Sequence, residues 1–381
     1  MVEDASKSGD KSTDLEKKFE RWRCRPRNCL LVLIVLTVVL LYYVNISQVS
    51  EIWLMIYNTT STETASNATA INLLTLQSTV ATTLAGKKND SISILPTEEP
   101  CTPETPYHVA YPCRYHYIIN EPESCQQDNP FLVLMVPVAP NNRRVRDAIR
   151  STWGTEKVVM QKVIRLFFVL GQPGREGQEE EQQKLIQESE EFHDIVQSNF
   201  MDSYNNLTIK TMIILEWLTS YCRNASYAMK IDSDIFLNLD VLVNMLLKAP
   251  IEKYMTGLVA KGAMVRREPR SKWYLPKTVY FEDFYPPYAL GLAYVMSLDL
   301  PEKLVEGAKQ VKAVYIEDIY LGLCMRHLGI PFTSQRDQSL FNVFPVPYNR
   351  CRYSKLIATT TNSLEEQVNS WKDYKRPEPH C

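Results

Sequence analysis

Apolar runs of strand length alternate with helix-period stretches through the middle of the chain, and this alternation narrows the fold more than any other feature. Phe131 to Val136 is continuously apolar and ends at Pro137 and Pro140, after which Asn141-Asn142 can cap a helix through Arg150. Val163 to Leu170 repeats the run and closes at Gly171, and the acidic, glutamine-rich stretch from Glu176 to Phe192 has helix-forming composition. Asp194-Ile195-Val196 starts another strand. Leu207 to Tyr221 then places Ile209, Met212, Ile213, Trp217 and Tyr221 at helical spacing, before a strand from Tyr227 to Ile231. The expected architecture is an α/β fold with a mainly parallel central sheet flanked by helices. Beyond it, Val241 to Leu247, Pro301 to Val311 and Ile319 to Leu328 read as helices, Leu290 to Ser297 as strand, and Lys261 to Leu290 as irregular.

The N-terminal part obeys a different physics. Leu30 to Val44 is almost continuously apolar, preceded by Lys17, Lys18, Arg21, Arg23, Arg25 and Arg27, so the positive-inside rule keeps the N-terminus cytoplasmic and sends the remainder across. A cleaved signal peptide is the competing reading, but no small-x-small site follows the apolar run. The expected organisation is a cytoplasmic tail (1–28), one transmembrane signal anchor (29–49), a Thr/Ser/Asn-rich stem (50–110) and a catalytic domain (111–381) outside the cytosol. Sequons at Asn45, Asn58, Asn67, Asn89, Asn206 and Asn224 agree with that side. So do Cys101, Cys113, Cys125, Cys222, Cys324, Cys351 and Cys381, an odd set that implies disulfides and at least one unpaired or intermolecular thiol. A net charge of −2 gives no ground for nucleic acid as a partner.

Asp232-Ser233-Asp234 follows the strand ending at Ile231, where ligands gather in open α/β sheets. Two hard oxygen ligands there suit a divalent cation held against a diphosphate, although aspartates also fill ordinary solvated turns. Glu317-Asp318 precedes the predicted helix from Ile319 and supports two readings: a general base, or an N-cap carboxylate beside a solvated neighbour. Arg146 and Arg150 share one helical face, suited to a phosphate or to acidic partners within the fold. Lys272 and Trp273 can meet a diphosphate or a sugar face, or form a solvated basic loop. Tyr285-Pro286-Pro287-Tyr288, followed by Gly291, predicts a rigid aromatic turn with close backbone approach at the glycine.

From Phe131 to Arg352 these residues resemble the β-1,3-galactosyltransferases and their β-1,3-N-acetylglucosaminyltransferase relatives. The likeness is carried by Arg146-Asp147-Ala148-Ile149-Arg150-Ser151-Thr152-Trp153-Gly154, Phe168-Val169-Leu170-Gly171 and Asp202-Ser203-Tyr204-Asn205-Asn206-Leu207-Thr208. It continues in Met229-Lys230-Ile231-Asp232-Ser233-Asp234, Lys272-Trp273-Tyr274, Tyr285-Pro286-Pro287-Tyr288 and Glu317-Asp318-Ile319-Tyr320-Leu321-Gly322.

The resemblance implies a GT-A type fold in a type II Golgi membrane protein that uses a UDP-sugar and Mn²⁺. It implies inverting transfer of galactose from UDP-galactose to the 3-hydroxyl of a glycan acceptor on glycoprotein or glycolipid. Carried over, Asp234 is the chief metal ligand, with Asp232 beside it at the metal and near the nucleotide and ribose, and Asp318 is the base. The residues themselves add Arg146, Arg150, Lys272 and Trp273 as candidate donor-binding groups and Glu317 as the other candidate catalytic acid. The Asp-Ser-Asp form is similar to galactosyl members; transfer of N-acetylglucosamine, or glycan binding with weak catalysis, are the alternatives. Two departures stand out. Ala289-Leu290-Gly291-Leu292-Ala293 replaces the usual Ser-Gly or Gly-Gly pair, and Ile357-Ala358-Thr359-Thr360-Thr361 lacks the histidine that commonly completes the metal site.

Overall fold

Each apolar run singled out between Phe131 and Ile231 forms a strand. In chain order the elements are β1 (Tyr117–Ile119), β2 (Leu132–Pro137), α1 (Arg143–Arg150), β3 (Val158–Val159), β4 (Lys162–Gln172), α2 (Gln178–Phe192), β5 (Ile195–Met201), α3 (Leu207–Tyr221) and β6 (Tyr227–Ile231). They continue with β7 (Ile235–Leu237), α4 (Leu239–Leu246), β8 (Met255–Ala260), β9 (Tyr288–Ser297), α5 (Leu300–Ala308) and α6 (Glu317–His327). The C-terminal part adds β10 (Phe341–Asn342), α7 (Arg350–Tyr353), β11 (Ala358–Thr360) and α8 (Leu364–Tyr374). The computed structural model describes residues 101–174, 178–335 and 337–381, all within the unit Leu95–Cys381. The expected tail, anchor and most of the stem lie outside the described residues, as do the first four sequons. No helix among the described residues is long and apolar enough to cross a membrane.

The main sheet runs β1-β5-β4-β2-β6-β9-β8, with β3 paired to β4. Strands β5, β4, β2 and β6 are parallel, joined in chain order by crossovers carrying α1, α2 and α3. The expectation of a mainly parallel sheet holds only for this centre. Strands β9, β8 and β1 pair antiparallel, so the whole is mixed. The reason lies after β6: α4, β8 and the long 261–287 segment intervene, and β9 returns beside β6 from the opposite end. A second sheet, β10-β11-β7, stands apart from the first.

Alternation along β2 divides the core. Val133 and Met135 pack with Phe167, Trp217 and Tyr320 on one face, while Leu132, Leu134 and Val136 pack with Phe168, Trp153 and Phe236 on the other. All these side chains are almost wholly buried. Burying one such aliphatic or phenylalanine side chain contributes about 1.5–3 kcal/mol before entropy is counted.

Three disulfides staple the unit: Cys101–Cys113, Cys125–Cys222 and Cys351–Cys381. Cys324 is the free thiol among the described residues, buried in α6, where burial pushes its pKa up to about 12 and leaves it unreactive. The boundary expected at residue 110 falls inside structured chain. Val109 donates to Ala313 O at 3.0 Å, Tyr315 donates to Tyr107 O at 3.0 Å, and His108 bridges to Val314.

Candidate active site

Strand β6 delivers Asp232 as the first residue past its carboxyl end, where the Asp232 N–H donates to Leu292 O at 2.8 Å. Asp234 follows two residues on, immediately before β7. Its carbonyl oxygen accepts from both the N–H (2.8 Å) and the hydroxyl (2.9 Å) of Thr361, beside β11. The stretch expected to lack an imidazole therefore does border the aspartates, and threonine hydroxyls occupy it. The Asp234 side chain is exposed and accepts from its own backbone N–H. Desolvation of its carboxyl, then the charge on Asp232, raise its pKa.

Lys230 links these aspartates to the far side of the site. It stands in the middle of an apolar strand and is buried, so it needs partners. Its ammonium lies 2.7 Å from Asp232 Oδ1 and 3.8 Å from Glu317 Oε2, and it donates to Gly291 O. Burial would lower its pKa, but Asp232 and Glu317 outweigh burial and raise it, so Lys230 is a fixed internal cation. Nothing in its motif assigns this lysine a role, though a charge inside the apolar run Tyr227 to Ile231 is a signal.

Helix α6 begins at Glu317, two residues earlier than expected, and this separates the two acids. Ile316 is the N-cap, so Asp318 is not the cap but the second helical residue. Glu317 is buried, accepts from the Tyr294 hydroxyl at 2.6 Å, and has its pKa pushed up to about 7 by burial, with Lys230 opposing. It is neither solvated, as one reading had it, nor open to a substrate. Asp318 is half-buried; Oδ2 accepts from the Gly291 N–H at 3.1 Å and Oδ1 from the Ile319 N–H at 2.9 Å. Burial raises its pKa against those two hydrogen bonds and Lys230.

Gly291 is the hinge of the arrangement, since its carbonyl serves Lys230 and its N–H serves Asp318. A Cβ there would lie 2.8 Å from Glu317 Oε2, 3.7 Å from Lys230 Nζ and 3.8 Å from Asp318 Oδ2. The departure around Ala289 thus keeps the one glycine that close approach requires. Gly291→Ala is expected to cost about 1–3 kcal/mol by overpacking and to lower turnover more than donor affinity. Chemical denaturation with initial-rate kinetics checks this, and a variant with unaltered turnover would remove Gly291 from the site.

The aromatic-proline turn packs as expected. A Cβ on Gly322 of α6 would meet Tyr288 Cβ at 2.8 Å, so turn and helix touch backbone to backbone. Tyr315 extends the same junction, its hydroxyl donating to the carbonyls of Lys272 (3.0 Å) and Tyr274 (2.8 Å). Lys272 and Trp273 are thereby held beside the segment leading to Asp318, both exposed. The Lys272 ammonium lies 4.5 Å from the Trp273 ring centroid and 5.6 Å from that of Tyr204. Burial raises the Tyr204 phenol pKa, and Asp318 and Asp232 add to it.

Arg146 and Arg150 stand elsewhere. Arg146 is buried, pairs with Glu188 through two bonds of 2.7 Å and donates to Ala139 O at 3.0 Å. Arg150 reaches Asp194 at 2.7 and 2.9 Å, Asp147 at 2.8 Å and Glu188 at 2.8 Å. The donor-binding expectation for both is corrected: they share a face, as read, but it meets acids of the fold. With their charge already met by these carboxylates, neither arginine is placed to bind a phosphate.

A cavity of about 500 Å³ opens at the carboxyl ends of β2, β4 and β5, lined by Ala139, Pro140, Gln172, Gly174, Lys184 and Asp202. Asp202 accepts from the Gly171 N–H at 2.8 Å and pairs with buried Lys210 at 2.7 Å. This is the crevice in which open α/β sheets bind ligands.

Carboxylates beyond parallel strand ends, with an adjoining crevice, define an α/β ligand-binding protein. The galactosyltransferase family model matches residues 144–336. β-1,3-Galactosyltransferase 1 of Homo sapiens is 39% identical over 266 residues, covering 69% of this chain and 79% of that protein. β-1,3-Galactosyltransferase 2 of Homo sapiens is 38% identical over 266 residues, covering 68% of this chain and 63% of that protein. The chain belongs to the β-1,3-galactosyltransferase family. Among solved structures, the galactosyltransferase LgtC with donor and acceptor sugar analogs is similar over 65% of this chain and 97% of that one. At a TM-score of 0.33 and 12% identity, that likeness does not define the site.

Proposed function

We propose that the protein is a UDP-galactose-dependent β-1,3-galactosyltransferase of GT-A type, an inverting enzyme acting on the 3-hydroxyl of a glycan acceptor. The observation that carries this reading is Asp318, reachable from solvent, raised in pKa, and joined through Gly291 and Lys230 to Asp232. In the proposed reaction Asp318 removes the proton from the acceptor hydroxyl as its oxygen attacks the anomeric carbon and the UDP bond breaks. Glu317 acts as a positioning residue, holding Lys230 and the Tyr294 hydroxyl. The crevice beside Asp202 takes the nucleoside, and Lys272 and Trp273 flank the sugar.

Asp232 and Asp234 fit a divalent cation such as Mn²⁺. They are hard oxygen donors, Asp234 being raised in pKa by burial and then by the charge on Asp232, and such ions commonly take one or two carboxylates plus substrate phosphates. Among the described residues no group of three or more His, Cys, Asp or Glu is placed for a metal. The donor's phosphates and water would complete the shell. When bound, the cation offsets charge on the departing diphosphate.

The proposal includes a single-pass type II placement in the Golgi membrane with the described domain in the lumen, supported by the basic leader, the apolar run and the sequons. UDP release assayed with UDP-galactose and UDP-N-acetylglucosamine, with and without Mn²⁺, tests the reading. Turnover that favours UDP-galactose and rises with Mn²⁺ is expected. Preference for the other donor reassigns the sugar, and glycan binding without turnover of either donor overturns the enzyme.

A further inference from the structure

We infer that Lys230 is a positioning residue for the transfer step: anchored on Asp232, its ammonium holds the Gly291 carbonyl and so fixes the Gly291 N–H that grips Asp318. This rests on the reading of Asp318 as the base and adds the group that orients it.

The contacts run from lysine to base without a gap. The Lys230 ammonium lies 2.7 Å from Asp232 Oδ1 and donates to Gly291 O, and the Gly291 N–H donates to Asp318 Oδ2 at 3.1 Å. Lys230 is 6% exposed, so it works through these neighbours and not on a substrate. Tyr294 stands opposite it in the antiparallel β6–β9 pair, with the ammonium 5.8 Å from the ring centroid. The Tyr294 hydroxyl donates to Glu317 at 2.6 Å, so both cross-strand neighbours meet the first turn of α6. The charged and titratable groups facing Lys230 are Asp232 after β6, Tyr294 of β9, Glu317 and Asp318 of α6, and Lys210 of α3, which pairs with Asp202.

The fold itself has little use for this charge. Tyr227, Ala228, Met229 and Ile231, the other residues of β6, are all buried and carry no charge. Well-packed apolar groups in place of a buried ion pair are often neutral or stabilising. As a structural ion pair the arrangement is also poor. Glu317 Oε2 lies 3.8 Å from the ammonium, beyond hydrogen-bond range. The Asp232 side chain is 42% exposed, so water can meet its charge without the lysine. What an apolar residue at this position could not supply is the bond to the Gly291 carbonyl.

The test compares the full chain in detergent with Lys230→Met, using UDP-galactose and a glycan acceptor. Should that variant unfold, Lys230→Met/Glu317→Gln removes both buried charges together and is read against Glu317→Gln alone. In folded protein kcat should fall about 10²-fold, the loss expected of a misplaced reacting group. UDP affinity, measured by calorimetry with Mn²⁺, should change by less than about fivefold, as for an exposed ion pair. The acid limb of kcat/KM should move to higher pH, because the Lys230 charge lowers the Asp318 pKa and its loss leaves the base protonated further up the scale. A lysine that only supports the fold would lower the folded fraction and leave the limb in place. Gly291→Ala combined with Lys230→Met should cost no more in kcat than the worse single variant, since both act through one residue. Losses that multiply overturn the route through Gly291. A folded variant with wild-type kcat and an unmoved limb overturns the inference, and so does a loss confined to UDP affinity, which would make Lys230 a partner of Asp232 alone. A wild type that turns over no acceptor overturns the transferase reading, and the inference with it.

Discussion

Replacing Asp318 by Asn should lower kcat by about 10²- to 10⁴-fold, the range supplied by a positioned general base. The structure adds a second consequence. Asp318 accepts one N–H with each oxygen, from Ile319 and from Gly291, and an asparagine can offer an acceptor to only one of them. The unmatched amide should cost about 1–3 kcal/mol, read as a lower denaturation midpoint. Turnover in folded protein separates the two effects. The wild-type pH profile of kcat/KM should fall as pH drops through a raised carboxylate pKa, because a protonated base cannot accept. Burial raises Asp318 above the ordinary aspartate range near pH 4, so the acid limb should lie above that range. An Asp318→Asn enzyme with near-normal kcat and an intact acid limb would place the base elsewhere.

Asp234→Ala should be nearly as damaging, yet without harm to the fold. A metal that offsets leaving-group charge contributes several kcal/mol at the transition state, so its loss should lower turnover by about 10²- to 10³-fold. The backbone contacts that hold this residue, Thr361 to Asp234 O, do not involve the side chain that is removed. The carboxyl pKa is raised in the folded state, so its charged form opposes folding above the ordinary aspartate range. At neutral pH the variant should therefore unfold at the same temperature or slightly higher. A midpoint several degrees lower, with activity tracking the folded fraction, would make Asp234 structural. Indifference of the wild type to Mn²⁺ and to chelators would remove the metal while leaving the aspartate in place.

Periodicity and run length located the elements that make the sheet and its crossovers. Helix α3 and strand β6 fall on the predicted residues because Leu207 to Tyr221 and Tyr227 to Ile231 are long or uniformly apolar enough to be unambiguous. Strand β8 is not legible in the sequence, since Gly257 interrupts its short run. The second sheet was invisible for a related reason: strands of two or three residues carry no period.

At the site, Asp232 and Asp234 were legible from their place after a strand, and Gly291 from the aromatic turn before it. The roles of Glu317 and Asp318 were not, because adjacent residues differ here only in burial, which α6 and Lys230 decide. Arg146 and Arg150 show the same limit. Their shared face followed from helical spacing, but Glu188 and Asp194, roughly forty residues away in sequence, pair with them only once α2 has folded across α1.

The central claim is a single displacement at one face of the sugar by a 3-hydroxyl that Asp318 deprotonates. Isolating the product formed from UDP-galactose and measuring its anomeric coupling and inter-residue correlations by NMR tests this most directly. The account predicts a β-galactosyl residue on O3 of the acceptor. An α-linked product, or a β-linkage to any other hydroxyl, would contradict it.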